Sequence, residues 1–347
     1  MKIAVRSRGG VHEFHAVPGE KILHAGLRSG IALPYECGTG TCGTCKAKLI
    51  EGEVEDGWPE APGKASLRHE MGEFLMCQWV ARGDCAVEVA VAVTPMASHV
   101  TRPAPTAAVI RRSAMLTHDV LTFELELERP LAFEAGQFVL MSTPEVVGAR
   151  AYSMVNFEPG AERLVLLVKK KPGGTLSEWL FSATRDGSPV GVFGPLGAAT
   201  FHPDIDKNVL CIAGGSGIAG MMSILARAVR ERYFERHAGD VFFGVRTRRD
   251  AFYLDELAAF QSAAGGALRV TIALSDENVD PGFAASHSAL RFGKGFVHAV
   301  AAEGMRGRFD NVRAWAAGPP PMVNATLRML LLEGKLKPDN IRYDKFS

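Results

Sequence analysis

The period of apolar positions changes along the chain, and the changes divide it. Near the start, "KIAVRS" and "VHEFHA" alternate apolar and polar residues around a short polar turn, which predicts a β-hairpin. "CAVEVAVAV", Cys85 to Val93, alternates as a half-buried strand. "TPMASHVTRPAPT", Thr94 to Thr106, mixes Pro, Ser and Thr without apolar pattern and reads as a linker. Strands with Gly/Pro turns then run from Ala107 to about His202. In "VLTFELELE", residues Leu121, Phe123, Leu125 and Leu127 share one face, and such content predicts a β-barrel. After Pro203 the apolar strands "VLCIA", "DVFFGV", "LRVTIAL" and "VRAWAA" alternate with helical stretches such as "MMSILARAVRER". That is an α/β pattern with a parallel sheet. The expected organisation is a multidomain α+β and α/β chain: residues 1–95, a linker at 96–105, a barrel at 106–203 and an α/β domain at 204–347.

Composition changes this picture little. The 347 residues are 47% hydrophobic and 22% charged, enough apolar content for real cores. A formal charge of +1 draws the chain neither to nucleic acid nor to anionic lipid. "VLCIAGGSGIAGMMSILA", Val209 to Ala226, is uncharged and long enough for a short membrane span, but the glycines in its middle make it a strand, a loop and a helix start. "MKIAVRSRGG" holds no apolar stretch of the kind a signal peptide needs. Six cysteines are too few for a disulfide scaffold. A cytoplasmic protein with reduced thiols and no membrane association is expected.

Three of those cysteines crowd into "YECGTGTCGTCKAKL". Cys37-x4-Cys42-x2-Cys45, with Cys77 farther on, has the plant-type [2Fe–2S] ligand spacing. Iron in such clusters takes soft, anionic thiolate ligands. The small residues between them let backbone amides turn toward the sulfurs, and such hydrogen bonds tune potential. The rival is zinc or unrelated buried thiols. Zinc knuckles favour paired short spacings, and only one tight pair is present. Cys85 and Cys211 fall outside the pattern, and Cys211 reads as a small core residue.

"PYECGTGTCGTCKAKLIEGEVEDGWPEAPG" resembles the N-terminal β-grasp ferredoxin domain of the reductases that serve bacterial multicomponent oxygenases, toluene and alkene monooxygenase reductases in particular. The resemblance covers the whole chain and implies a ferredoxin domain, a six-stranded antiparallel β-barrel flavin domain and a Rossmann-like parallel-sheet nicotinamide domain, in that order.

Two further motifs suit that order. "RAYSMVN", Arg150 to Asn156, is followed by "VKKKPGGTLSEWL", Val168 to Leu180, in which a glycine turn feeds a helix start that can present amides to a phosphate. The resemblance implies that Tyr152 stacks on the isoalloxazine, Ser153 hydrogen-bonds near its reactive nitrogen, and Arg150 pairs with the pyrophosphate. Leu167, Val168 and Lys169 would line the flavin with backbone, and Gly174, Thr175, Leu176 and Ser177 would hold the phosphates. It favours FAD over FMN and implies that Phe346, in "YDKFS", covers the ring, against the plain alternative of a frayed tail.

"VLCIAGGSGIAGMM" gives Gly215-Ser216-Gly217-Ile218-Ala219-Gly220, a G-x-G-x-x-G match between strand and helix. The family's own version ends in proline where Gly220 stands, so the loop should be looser without losing a cofactor contact. The family's "CGPPPM" reads "AGPPPM" here: Ala317 replaces a cysteine beside the nicotinamide, while Gly318, Pro319 and Met322 match. Arg248 and Arg249 offer a grip for a 2′-phosphate or a solvated basic turn, and NADH is expected over NADPH.

The three sites together make an electron transformer from NADH through FAD and [2Fe–2S] to an oxygenase component or a small Rieske-type ferredoxin. The cofactors carry the chemistry, and the protein sets distance and electrostatics. A di-iron monooxygenase is the expected partner system of a monomeric reductase. The alternatives are a Rieske dioxygenase reductase and a redox-sensing module with a degenerate nicotinamide site. Residues 1–95 hold ten Lys/Arg against twelve Asp/Glu, and "EGEVEDGWPE" holds five acids and no base. That stretch suggests an acidic docking face for a basic patch on the partner, its rival being a solvated acidic turn.

Overall fold

The computed structural model describes residues 1–346. They form two compact units: residues 1–107, 139–151 and 190–196 make the first, and residues 108–138, 152–189 and those from 197 onward make the second.

The first unit begins with the expected hairpin. β1 (Lys2–Ser7) and β2 (Gly10–His15) run antiparallel with Ile3 opposite Phe14. Then come α1 (Ile22–Arg28), β3 (Lys46–Glu51), β4 (Val54–Asp56), β5 (Glu73–Leu75), β6 (Trp79–Ala81) and β7 (Cys85–Glu88). Five strands make one sheet in the order β2-β1-β7-β3-β5, while β4 and β6 form a separate ribbon. α1 lacks a side-chain cap and is only seven residues long, too short to persist alone. Packing supplies what capping does not, because Ile22, Leu23, Ala25 and Leu27 are all buried. Gly30, with φ +79°, supplies the left-handed residue after its end. β7 runs parallel to β1 and antiparallel to β3. It stops at Glu88 rather than at the expected Val93. Val89 still donates its N–H to Arg6, but Val91 is exposed, so the alternation outlasts the ladder.

The middle of the chain gives β8 (Ala104–Met115), β9 (Val120–Leu131), β10 (Phe138–Thr143), β11 (Val146–Ser153), β12 (Ala161–Lys169), α2 (Thr175–Ser182) and β13 (Pro189–Leu196). β8 already starts at Ala104, inside the stretch read as linker. The six strands divide between the units. The first holds neighbours in the order β11-β10-β13, and the second holds β8-β9-β12, each antiparallel to the next. Leu121, Phe123, Leu125 and Leu127 are at most 8% exposed, as their shared face requires.

The rest of the second unit is a doubly wound sheet. β14 (Asn208–Gly214), α3 (Ile218–Arg230), β15 (Gly239–Val245), α4 (Leu254–Ala263), β16 (Leu268–Leu274), α5 (Pro281–Ser286), β17 (Arg291–Lys294), α6 (Val297–Gly304), β18 (Val312–Gly318), α7 (Pro320–Leu332) and β19 (Ile341–Lys345) follow in order. All six strands are parallel, ordered β17-β16-β15-β14-β18-β19. The chain winds outward in both directions from β14. Ligands of such sheets bind beyond the strand ends at the reversal, here after β14 and β18. The uncharged stretch from Val209 resolves into strand, turn and helix, and no helix among the described residues is long and apolar enough to cross a membrane.

Candidate functional site

The loop between α1 and β3 carries Cys37, Cys42 and Cys45, and Cys77 follows β5. Its shape depends on glycine: Gly38, Gly40 and Gly43 all have positive φ, between +67° and +84°. With no side chains there, the backbone curls around the sulfurs. Thr39 N–H points to Cys37 Sγ at 3.4 Å and Thr44 N–H to Cys42 Sγ at 3.5 Å. All four thiols are free of disulfides. They also sense one another. A hydrogen bond from Cys42 holds Cys37 down to about 3 and pushes Cys42 up, and sharing with Cys77 raises Cys45 while lowering Cys77. Four mutually perturbed thiols, inward-facing amides and the x4/x2 spacing fit a [2Fe–2S] cluster. Among the described residues the group of metal-ligating atoms gathered within 4.8 Å is His118, Asp119 and Asp250, where Lys169 already neutralises Asp119 at 2.8 Å.

The loop has two faces. Cys42 is exposed, while Cys45 and Cys77 are buried. Gly38, on the other side, packs against Leu140 of β10, and a Cβ there would stand 3.4 Å from its Cδ1. Within the first unit the thiol loop therefore abuts strands of the barrel segment and keeps one edge in solvent. Cys85 and Cys211 lie elsewhere, and burial alone raises the fully buried Cys211 thiol.

β11 ends in Arg150, Tyr152 and Ser153. Trp58 lies under the Arg150 guanidinium at 5.4 Å, so the arginine proposed for the pyrophosphate is held by a cation–π contact. Leu167 and Val168 are buried on β12, and Lys169 Nζ pairs with Asp119. α2 starts at Gly174, which gives no side-chain cap to the first turn. Leu176 is 1% exposed and offers only backbone. Ser177 Oγ is already engaged: it accepts from Lys171 N–H at 3.1 Å and lies 2.9 Å from Gly174 O. The hydroxyl therefore helps hold the glycine turn, while Thr175, Leu176 and Ser177 make the first turn of α2. Within the second unit, the glycine turn before α2 opens onto a helix start whose backbone N–H groups suit a phosphate.

At the sheet reversal, Gly215, Ser216 and Gly217 form a tight turn between β14 and α3. A Cβ on Gly217 would come within 2.3 Å of Ala317 O, so glycine is required where the two loops meet. Gly318, at φ +146°, and Gly214 both accommodate Met322, whose Cε would clash with a Cβ on either. Pro319 then caps α7, with prolines in its first turn. A small cleft opens here, lined by Gly136, Ser153, Gly220, Met221, Ala317 and Asp344 among others. Ser153 of the flavin motif and Ala317 of the nicotinamide motif thus share one cavity in the second unit. Gly220 does not sit in the loop but in α3, where a Cβ would lie 3.6 Å from Ser153 Cβ. The chain end is tied in: Phe346 N–H bonds Gly318 O at 3.0 Å, and its ring packs on the core that contains Leu167, Ile218 and Ala317. A frayed tail is ruled out for Phe346.

An iron–sulfur flavoprotein reductase is the class that this fold and these sites define. Residues 5–82 match the 2Fe-2S iron-sulfur cluster binding domain, residues 107–201 the oxidoreductase FAD-binding domain and residues 211–328 the oxidoreductase NAD-binding domain. The chain is 34% identical to a ferredoxin–NAD(P)+ reductase of Metapseudomonas resinovorans, covering 94% of this chain and 95% of that one. It is 33% identical to the ferredoxin–NAD+ reductase component of the Xanthobacter autotrophicus alkene monooxygenase system, over 94% and 95%. Among solved structures, the ferredoxin reductase in carbazole 1,9a-dioxygenase superposes with a TM-score of 0.83 at 30% identity, over 100% and 99%. The Amycolatopsis cytochrome P450 reductase gives 0.81 at 30%, over 99% and 98%. The chain belongs to this family of [2Fe–2S], FAD and NAD(P)H oxidoreductases, the electron-transfer components of oxygenase systems.

Sequence reasoning missed several residues. Asp344 lines the Ser153–Ala317 cleft because β19 pairs in register with β18, Asp344 opposite Ala317. Nothing local in "IRYDKFS" marks that register. Trp58 was visible only as part of a resemblance. In the acidic stretch, Glu55 pairs with Arg82, and Asp56 pairs with Lys64 and accepts Trp58 N–H at 3.0 Å. Those pairs link the β4–β6 ribbon to its flanking residues.

Proposed function

We propose that this chain is the reductase that passes electrons from NADH through FAD and a [2Fe–2S] cluster to the oxygenase component of a di-iron monooxygenase, directly or through a small ferredoxin. The observation that carries the reading is the paired placement of sites. Ser153 and Ala317 share a cleft at the end of the parallel sheet, and the thiol loop packs Gly38 on β10 while exposing Cys42. Bound FAD would accept two electrons together and release them one at a time. The chain's own part is to bind and orient. Arg150, backed by Trp58, is the counter-charge for the pyrophosphate, bidentate by geometry. Tyr152, Ser153 and Phe346 frame the ring. Gly215, Ser216, Gly217, Gly318, Pro319 and Met322 shape the nicotinamide crevice, and Asp344 sets a carboxylate in the cleft beside Ser153. Cys37, Cys42, Cys45 and Cys77 hold the cluster. Domain limits of 1–95, 106–203 and 204–347, a monomer and a cytoplasmic location complete the reading.

NADH is favoured over NADPH by one detail. Arg248, an arginine available to a 2′-phosphate, is turned to Asp280 at 3.2 Å, and its backbone N–H is taken by Glu277. Two acids beside the ribose crevice disfavour an added phosphate dianion. kcat/KM for ferricyanide reduction should be at least tenfold higher with NADH, and a preference for NADPH would reverse the assignment. Reconstitution with a di-iron hydroxylase or with a Rieske dioxygenase tests the partner: coupled product formation with the first is expected, and coupling with the second alone would move the chain to the dioxygenase systems. NADH bleaching of the flavin separates both from a redox sensor with a disabled nicotinamide site.

A further inference from the structure

Behind the cluster loop lies a polar chain that the electron path does not itself require. Lys21, just before α1, donates from Nζ to Gln78 Oε1 at 3.2 Å. Gln78 is 3% exposed and donates from Nε2 to Cys77 Sγ at 3.4 Å. Gly40 makes room for that amide: a Cβ there would stand 2.8 Å from Gln78 Cγ and 3.1 Å from Nε2. The backbone on both sides is fixed. Lys21 bridges to Val80, Gln78 N–H bonds Leu75 O, and Gly57 N–H bonds Gln78 O.

An amide has two faces of opposite polarity, and nothing in a glutamine alone decides which one meets a sulfur. An ammonium group can only donate. With Lys21 on one side, the amide must offer its oxygen there and its NH2 to Cys77. Lys21 is itself largely buried. Burial works most against its charge; the Cys77 sulfur favours it, the Arg150 guanidinium opposes it and the Cys45 sulfur favours it. A buried cation beside a thiolate-held cluster is a costly arrangement that needs the cluster's negative charge as its partner.

We infer that Lys21 is a positioning residue that raises the reduction potential of the cluster, by locking Gln78 as a donor to Cys77 and by placing a buried positive charge behind it. The inference rests on the cluster assignment proposed above. Charge on the ligand sulfurs grows when a [2Fe–2S] cluster gains an electron, so a donor and a cation there stabilise the reduced form more. The result eases delivery of electrons from the flavin side to the Cys37–Cys42 edge.

The test is an EPR-monitored redox titration of the full-length holoprotein, with iron, sulfide and FAD content measured for each variant. Lys21→Met should lower the cluster's affinity for an electron about tenfold, which for one electron is about 59 mV. Lys21→Arg, still donor-only, should restore most of it. Lys21→Glu should cost more than Lys21→Met, because a carboxylate draws the amide NH2 away and turns the oxygen onto Cys77. In a Gln78→Met background, Lys21→Met should have a smaller effect than in the native chain. The flavin potential should not move in any of them. A fully loaded Lys21→Met protein with the native potential would overturn the inference, as would a Lys21→Glu no lower than Lys21→Met. Loss of the cluster from both Lys21→Met and Gln78→Met, with FAD retained, would overturn it too, making the pair a device for assembly. A native holoprotein without two irons per chain would instead sink the cluster assignment itself.

Discussion

His24 is a histidine that the fold keeps neutral. It stacks on Phe193 with ring centroids 4.0 Å apart, and its Nε2 has no partner. Burial first, and the Lys21 charge second, hold its pKa down from 6.5 to about 3. Above pH 6.5 the ring is neutral in folded and unfolded chains alike, so it contributes no pH dependence there. Between pH 6.5 and about 3 the unfolded chain binds a proton that the folded chain refuses, and stability falls by about 1.4 kcal/mol per unit. His24→Phe removes that loss. The gap in Tm between variant and native protein should therefore widen in the variant's favour from pH 7.5 to pH 5. An unchanged gap would show that His24 does not carry the acid sensitivity. Phe346 makes the second residue-scale case. Its amide is bound to Gly318 and its ring packs on the core beside the cleft. Under the role proposed for Phe346 over the flavin ring, Phe346→Ala should perturb the flavin absorption spectrum and raise NADPH use relative to NADH, because no ring then has to move before a nicotinamide stacks. Identical spectra and cofactor ratios would mean that Phe346 is packing only.

Among the elements, α3 shows what a departure from the family pattern does. Gly220 sits in its first turns, where glycine costs roughly 0.5–1 kcal/mol against alanine. A Cβ would meet Ser153 at ordinary contact distance. Gly220→Ala should raise unfolding stability by about that amount, measured by thermal unfolding of the FAD-bound protein, and a loss would show the cleft cannot take a methyl. Elements were legible where the signal is local. The alternation of Leu121, Phe123, Leu125 and Leu127 gave the face that β9 buries, and the glycines after Val209 separated β14 from α3. The cysteine spacing and the "RAYS" and "AGPPPM" motifs were equally visible. Long-range pairings were not. The end of β7 at Glu88 depends on its ladder with β1 and β3, and Asp344 reaches the cleft only through the register of β19 on β18. Lys21 and Gln78 are 57 residues apart, and their hydrogen bond follows from how α1 and the Cys77 turn pack, which no local pattern encodes.

Across the whole molecule, electrons pass in a fixed order: nicotinamide, flavin, cluster, acceptor. The decisive measurement is anaerobic stopped-flow reduction by NADH, following flavin absorbance and, in freeze-quenched samples, the EPR signal of the reduced cluster, for native protein and for Cys77→Ser. The native protein should bleach its flavin first and reduce its cluster after. Cys77→Ser should hold no cluster, yet should keep FAD, bleach it at about the native rate and reduce ferricyanide. Cluster reduction that precedes flavin bleaching, or a Cys77→Ser protein that retains about two irons per chain, would contradict the account.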